Sequence, residues 1–139
     1  MNMNLLSGIN WVAVFVAAIA YFMLGALWYS FLFQKPWVRL QKVDMNAPDA
    51  RKGVAGIMVS SFLLMLLATI GLAFLVERMQ LHQLISGIKI GLLTGICFSL
   101  ATISIGYLYT KKPLGLHLID GLYHTTGQII AAIILCLWK

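Results

Sequence analysis

The stretch VAGIMVSSFLLMLLATIGLAFLV, residues 54–76, decides the fold of this chain. It contains no charged residue and exceeds the ~20 residues that an α-helix needs to cross the ~30 Å hydrocarbon layer of a membrane. Comparable apolar runs occupy residues 9–33, 84–107 and 116–138. None of them alternates with the period of two that is typical of a membrane β-strand. The sequence therefore predicts an all-α membrane protein with four transmembrane helices.

The composition supports this fold class. Of 139 residues, 61% are hydrophobic and only 10% are charged, whereas soluble domains carry about 25% charged residues. The four runs and their short loops fill the chain, which predicts a single domain over residues 1–139. No nucleophile with an assigned base, paired acidic site or cofactor fingerprint is present, so we expect neither enzyme activity nor a cofactor.

Basic residues are concentrated in two loops. The loop over residues 34–53 and the loop TKKPLG at residues 110–115 hold seven of the ten Lys and Arg residues. By the positive-inside rule, both loops face the cytoplasm and both termini lie outside. The net charge of +6 is then mostly a membrane-surface charge that attracts anionic lipid. Without a basic groove bearing stacking aromatics, no nucleic-acid partner is expected.

The first basic loop has an amphipathic beginning. Lys35, Arg39 and Lys42 alternate with apolar residues, and the turn NAPD follows at residues 46–49. This pattern is typical of a short helix that lies in the headgroup layer. We therefore expect these three side chains to bind the lipid surface.

The third run carries a ridge of small residues. Gly87, Gly91, Gly95 and Ser99 recur every four residues, and such a ridge allows close helix packing in membranes. It would serve a contact within the chain or between subunits equally well, and four helices alone bury little surface, so a homo-oligomer is expected. The loop over residues 77–83 is short enough to make the second and third helices antiparallel neighbours.

An internal repeat is a further hypothesis. Residues 7–37 and 86–116 both begin with Ser-Gly-Ile, share aromatic residues near the inner boundary, and end beside a Lys-Pro pair. The two segments would form a parallel repeat of helical hairpins about an axis along the membrane normal. Chance similarity between apolar segments explains the match at least as well.

The fourth run contains a polar face inside the membrane. His117, Asp120, His124 and Gln128 follow one another at steps of three and four residues, so they share one side of a helix. Other polar residues of the runs lie mostly in the cytoplasmic half, which predicts a cavity that opens inward and closes near the middle of the membrane. We expect the four side chains to bind a solute or ion there.

Three interpretations of Asp120 and His124 remain open. In a structural role, the two side chains hydrogen-bond each other and nearby serines. In a transport role, they carry a proton or couple an ion, because ionisable groups inside a membrane are functional candidates. A metal or haem role needs more ligands than this one helix offers, so no metal site is predicted.

The segments LGALWYSFLFQKPW, residues 24–37, and KKPLGLHLIDGLYH, residues 111–124, resemble a known family. Its most specific pattern is Gly25, Trp28, Tyr29, Phe33 and Trp37. The family consists of small bacterial inner-membrane proteins, known as domain of unknown function 1761. The resemblance covers nearly the whole chain and implies a four-span protein, without implying a substrate or reaction.

These observations together predict a multi-pass protein of the bacterial inner membrane. Its leading functional hypothesis is binding or translocation of a small solute or ion at the polar face of the fourth helix. The alternative is a non-catalytic scaffold or accessory subunit. Lipid binding by the basic first loop is a third hypothesis, with membrane lipids as the partner.

Overall fold

The computed structural model describes residue 4 and residues 6–138 and contains four long helices. They are α1 (Trp11–Leu32), α3 (Val54–Arg78), α4 (Leu84–Tyr109) and α5 (Leu114–Leu137), each long and apolar enough to cross a membrane. A short helix, α2 (Gln34–Gln41), follows α1. The described residues form no β-strand. The prediction of an all-α protein with four membrane-crossing helices is therefore confirmed.

The helix ends follow local signals in the sequence. Asn10 caps α1 because its side chain accepts a 3.1 Å hydrogen bond from the backbone N–H of Ala13. Pro113, with extended backbone, precedes the first residue of α5. Lys42, with a left-handed backbone conformation, ends α2. The backbone N–H of the next residue, Val43, donates a 3.3 Å hydrogen bond to the Val38 carbonyl. The loop predicted over residues 34–53 is therefore helical only in its first part.

The fold is organised around α5, which contacts all three other long helices. The helix α3 packs on α1 and α5, whereas α4 packs along α5. Between α3 and α4 there is at most a marginal contact. The expectation that these consecutive helices are packed neighbours is wrong, because each of them packs on α5 instead.

The glycine ridge of α4 packs directly against the backbone of α5. A Cβ atom on Gly87 would lie 2.9 Å from the Cα of Ile133, and one on Gly95 would lie 2.5 Å from the Cα of Thr125. Only glycine lets the two backbones approach this closely. The structure thus uses the ridge within the chain, so a homo-oligomer would have to form through another face.

The two halves of the bundle differ in packing. We call the end with α2 and the α4–α5 turn the basic end. Toward the other end, the buried core joins α1, α3, α4 and α5 through small and branched residues such as Ala17, Ala73 and Ala132. At the basic end, by contrast, residues 54–60 of α3 are all exposed. The bundle is therefore closed in one half and open between α3 and α4 in the other.

Two segments of the helices have wider, π-helical turns. They are Trp28–Leu32 at the end of α1 and Gly95–Leu100 in the middle of α4. The two segments do not occupy matching positions in the proposed repeat, and α2 has no counterpart after α4. The described structure therefore departs from a simple duplication of one hairpin.

Candidate functional site

The polar face of α5 is turned into the protein. Side chains of His117, Asp120 and Gln128 are at most 8% exposed, and His124 is half-buried. By burial, α5 is the most enclosed of the four long helices. The helical period thus places these side chains in the bundle interior, away from the surrounding lipid.

The Asp120 carboxylate is held by three aromatic side chains. Tyr29 donates a hydrogen bond to Oδ1 over 2.6 Å, and the indole N–H of Trp37 donates to the same oxygen over 3.1 Å. Tyr107 donates to Oδ2. These donors come from α1, α2 and α4, so one carboxylate joins four helices. In all three bonds the carboxylate is the acceptor.

The π-helical end of α1 contributes two of the contacts with α5. Trp28 donates from its indole N–H to the Ile119 carbonyl over 3.1 Å, and the adjacent Tyr29 reaches Asp120. Consecutive residues of a regular helix point about 100° apart. A widened turn is a common device at functional sites, and here it lies where both side chains contact α5.

The other polar residues of α5 have partners of their own. His124 shares a hydrogen bond through Nδ1 with the Tyr21 hydroxyl, and Gln128 donates from Nε2 to the Ser99 hydroxyl. The expected hydrogen bond between Asp120 and His124 is therefore replaced by bonds to tyrosines. The serine partners expected for Asp120 and His124 are also replaced by aromatic side chains, and the bond to a serine is made by Gln128 instead.

Three tyrosines and a tryptophan form an aromatic cluster beside the carboxylate. The Tyr123 ring lies 5.2 Å from Tyr29, 5.7 Å from Tyr21 and 6.1 Å from Trp28, measured between centroids. The two tyrosine pairs meet edge to face, which is a favourable arrangement for aromatic rings. The Tyr123 hydroxyl donates to the Tyr21 carbonyl over 3.1 Å. The cluster thus forms an aromatic wall between α1 and α5.

A cavity of about 450 Å³ lies against this wall. All four long helices contribute to its lining, which combines hydroxyl, imidazole and amide groups with apolar side chains. The lining residues are Tyr21, Tyr29, Ser61, Leu64, Met65, Ala68, Ser99, Tyr123, His124 and Gln128. The cavity lies where α3 and α4 separate, so it offers polar groups at membrane depth.

The structure brings two of the four predicted binding residues to the cavity. His124 and Gln128 line it, whereas Asp120 stands behind Tyr29. His117 lies apart, since its Nε2 reaches the Lys112 carbonyl over 3.3 Å and its ring packs 5.5 Å from that of Tyr107. His117 therefore supports the turn between α4 and α5.

The described residues offer no ready metal site. Within residue 4 and residues 6–138, no group of three or more His, Cys, Asp and Glu side chains is close enough to hold an ion. In the same part of the chain, every buried side-chain nitrogen and oxygen has a hydrogen-bond partner. The polar groups of the site are thus arranged for hydrogen bonding.

The aromatic partners of Asp120 were missed by sequence reasoning. Aromatic residues near a membrane boundary, such as Tyr29, Trp37 and Tyr107, are typically anchors in the interface. A fully exposed tyrosine such as Tyr109, 86% exposed, retains that interpretation. A buried carboxylate needs hydrogen-bond donors. This requirement could have indicated that nearby tyrosine hydroxyls and a tryptophan N–H point toward Asp120.

Fold and site together define a multi-pass four-helix membrane protein with a polar, aromatic-walled cavity. A family model described as "Protein of unknown function (DUF1761)" matches residues 12–136, so the chain belongs to this family. Comparison with curated proteins and with solved structures gives no significant match.

Proposed function

We propose that this protein binds a small solute in the cavity between its four long helices. The observation that supports this proposal is the cavity of about 450 Å³ beside the polar face of α5. Pockets that hold small molecules measure roughly 300–1,000 Å³ and combine apolar walls with a few convergent polar groups. Ser61, Ser99, His124 and Gln128 are such groups here, and they come from three helices.

The solute is proposed to enter from the cytoplasm. Exposed lysines and arginines surround the basic end, and such residues are retained on the cytoplasmic side of bacterial inner membranes. The open half of the bundle belongs to this end. On this orientation both ends of the described chain lie outside, and the cavity faces inward.

Translocation would require the closed half of the bundle to rearrange. Beyond the cavity, Thr69, Leu72 and Val76 of α3 are buried against the other helices. Close-packed interiors yield by switching between discrete arrangements. The described state supports binding, and an outward-open state would complete a transport cycle. We assign the protein no catalytic step and no cofactor.

Lipid binding at the surface is a second candidate function. Lys35 and Arg39 of α2 are exposed, as is the adjacent Lys42, whereas Trp37 and Leu40 on the same helix turn inward. Such a separation of exposed basic side chains from inward-facing apolar side chains is typical of a helix that lies in the headgroup layer. The Trp37 bond to Asp120 connects such a surface contact with the interior site.

A scaffold role would follow if the cavity held no ligand. Its specific support is that Asp120 already has three donors within the chain. Buried polar groups that are fully satisfied can act by fixing helix register alone. The experiment on cavity occupancy therefore decides between a binding protein and a scaffold.

Cavity filling provides the test. Ser61→Trp places a large ring in the cavity, whereas Ser60→Trp places the same ring on the exposed side of α3, one residue away. Each protein is held in nanodiscs, incubated with the dialysable fraction of a cell extract and re-isolated. Bound molecules are then released and measured by mass spectrometry.

The expected result is a molecule that wild type and Ser60→Trp retain and Ser61→Trp loses. Matching helical circular dichroism and elution volume confirm that both variants are folded. Identical profiles for all three proteins would contradict solute binding in this cavity and favour the scaffold role.

A further inference from the structure

The buried carboxylate of Asp120 has only neutral hydrogen-bond partners among the described residues. Asp120 is 7% exposed, and its hydrogen-bond partners Tyr29, Trp37 and Tyr107 are all neutral. His124, one helical turn further along α5, interacts electrostatically with Asp120, and its Nδ1 is hydrogen-bonded to the Tyr21 hydroxyl. Buried charges in proteins are normally paired, because their separation from water is costly. In its ionised form, this carboxylate gives the site a negative potential that an external cation would neutralise.

This potential reaches the cavity through Tyr29. The Tyr29 side chain lines the cavity and its hydroxyl donates to the Asp120 carboxylate over 2.6 Å. The lysines and arginines of the two basic loops are mostly exposed, so dissolved salt screens them over a Debye length of about 8 Å. A buried carboxylate is screened much less. Its field is therefore attenuated less inside the cavity than the fields of the exposed basic residues.

The cavity wall is itself suited to a cation. Tyr21, Tyr29 and Tyr123 line the same cavity, and the faces of aromatic rings attract positively charged groups. Substituted ammonium ions are the ligands typically held by several aromatic rings. Leu64, Met65 and Ala68 of α3 line the same cavity and offer apolar contacts. Such a wall accommodates alkyl groups better than a hydrated metal ion.

The geometry points to a small organic cation, a substituted ammonium ion, as the ligand of this cavity. We propose that its charged nitrogen lies against the tyrosine rings on the side nearest Asp120, and its alkyl groups contact Leu64 and Met65. This inference rests on the proposed solute binding and specifies the chemical class of the solute. Asp120 supplies the field from behind Tyr29 without touching the ligand, which makes it a positioning residue.

Paired probes with and without a charge test this inference. Radiolabelled choline and tetraethylammonium are bound to nanodisc-held protein in equilibrium dialysis. The neutral competitor is the carbon analogue of choline, which has the same shape but a carbon atom in place of the quaternary nitrogen. At least one cation is expected to bind, and the neutral analogue should compete about tenfold more weakly, as loss of a desolvated cation contact predicts.

Two variants connect the binding with the site. Asp120→Asn is expected to weaken cation binding about tenfold while leaving competition by the neutral analogue unchanged. Ser61→Trp should abolish binding of both probes, and Ser60→Trp should abolish neither. If Asp120→Asn fails to fold, the ratio between charged and neutral probes in the wild-type protein still decides the question.

The outcomes separate this inference from the proposed function. Equal binding of charged and neutral probes, lost in Ser61→Trp, would overturn the cation inference and leave solute binding intact. If neither cation binds, but Ser61→Trp still loses a molecule that the wild-type protein retains from the extract, the cation inference is overturned and solute binding remains. Failure of the cations together with identical extract profiles would overturn both proposals.

Discussion

Alanine in place of Gly91 is expected to separate α4 from α5. A Cβ atom at this position would lie 2.8 Å from the backbone nitrogen of Ile129 and 3.0 Å from the Gln128 carbonyl oxygen. Both neighbours are backbone atoms, so no side-chain rotation can relieve the overlap. The helix itself has to move, and such overpacking costs about 1–3 kcal/mol of the free energy of unfolding.

Gly106 provides the matched control on the same helix. No atom lies within 4 Å of a Cβ built at Gly106, so alanine there meets open space. Both substitutions gain the same helix propensity, up to about 1 kcal/mol. The difference in stability between Gly91→Ala and Gly106→Ala therefore isolates the steric cost, which we expect to be about 1–3 kcal/mol.

Reversible unfolding in mixed micelles measures this difference. The free energy of unfolding is obtained from helical circular dichroism as the fraction of denaturing detergent is raised. Gly106→Ala should match or exceed the wild-type protein, and Gly91→Ala should unfold at a lower detergent fraction. Equal stability of the two variants would refute the close α4–α5 contact.

Two further predictions follow from the contacts at the basic end. Tyr29→Phe removes one donor from the buried Asp120 carboxylate and should lower the free energy of unfolding by about 1–3 kcal/mol. The control is Tyr109→Phe at an exposed position, which should leave the free energy of unfolding unchanged. A similar loss of stability in both variants would argue against the hydrogen bond from Tyr29 to Asp120. Replacing Lys35, Arg39 and Lys42 with glutamine should weaken the binding of phosphatidylglycerol by about 1 kcal/mol per charge. Native mass spectrometry measures how much of this lipid stays bound, and Arg78→Gln is the control at the opposite end of the bundle. Unchanged lipid retention would contradict lipid binding by this segment.

The four long helices were predictable because each depends on its own sequence. The predicted runs 9–33 and 54–76 correspond to Trp11–Leu32 and Val54–Arg78 in the structure. Length and apolar composition suffice for this prediction, since lipid requires every spanning segment to satisfy its own backbone. The glycine ridge of α4 was also visible as a repeat of four. Its partner helix was not, because the sequence does not specify which neighbour a small-residue face will meet.

Only the α5 residues of the candidate site were predictable from the sequence. The spacing of Asp120, His124 and Gln128 on one helix is a local property, and it indicated an inward face. Their partners Tyr21 and Tyr29 lie about a hundred residues earlier in the chain. Such pairings depend on tertiary packing and on the widened turn of α1. Aromatic residues near a membrane boundary favour an anchoring role on composition alone, which concealed their role as donors.

Synthesis on the ribosome delivers α5 after the three long helices that pack on it. Until then, Tyr29 and Tyr107 have no carboxylate to bind, and the glycine ridge of α4 has no facing backbone. The last helix has the lowest mean hydropathy of the four and carries Asp120 in its first half, where an unpaired carboxylate is costly to take out of water. The hydrogen bonds from Tyr29 and Tyr107 to Asp120 offset that cost. The contacts that hold α5 thus all join it to segments that precede it in the chain, so the four-helix packing is complete only when this helix is in place.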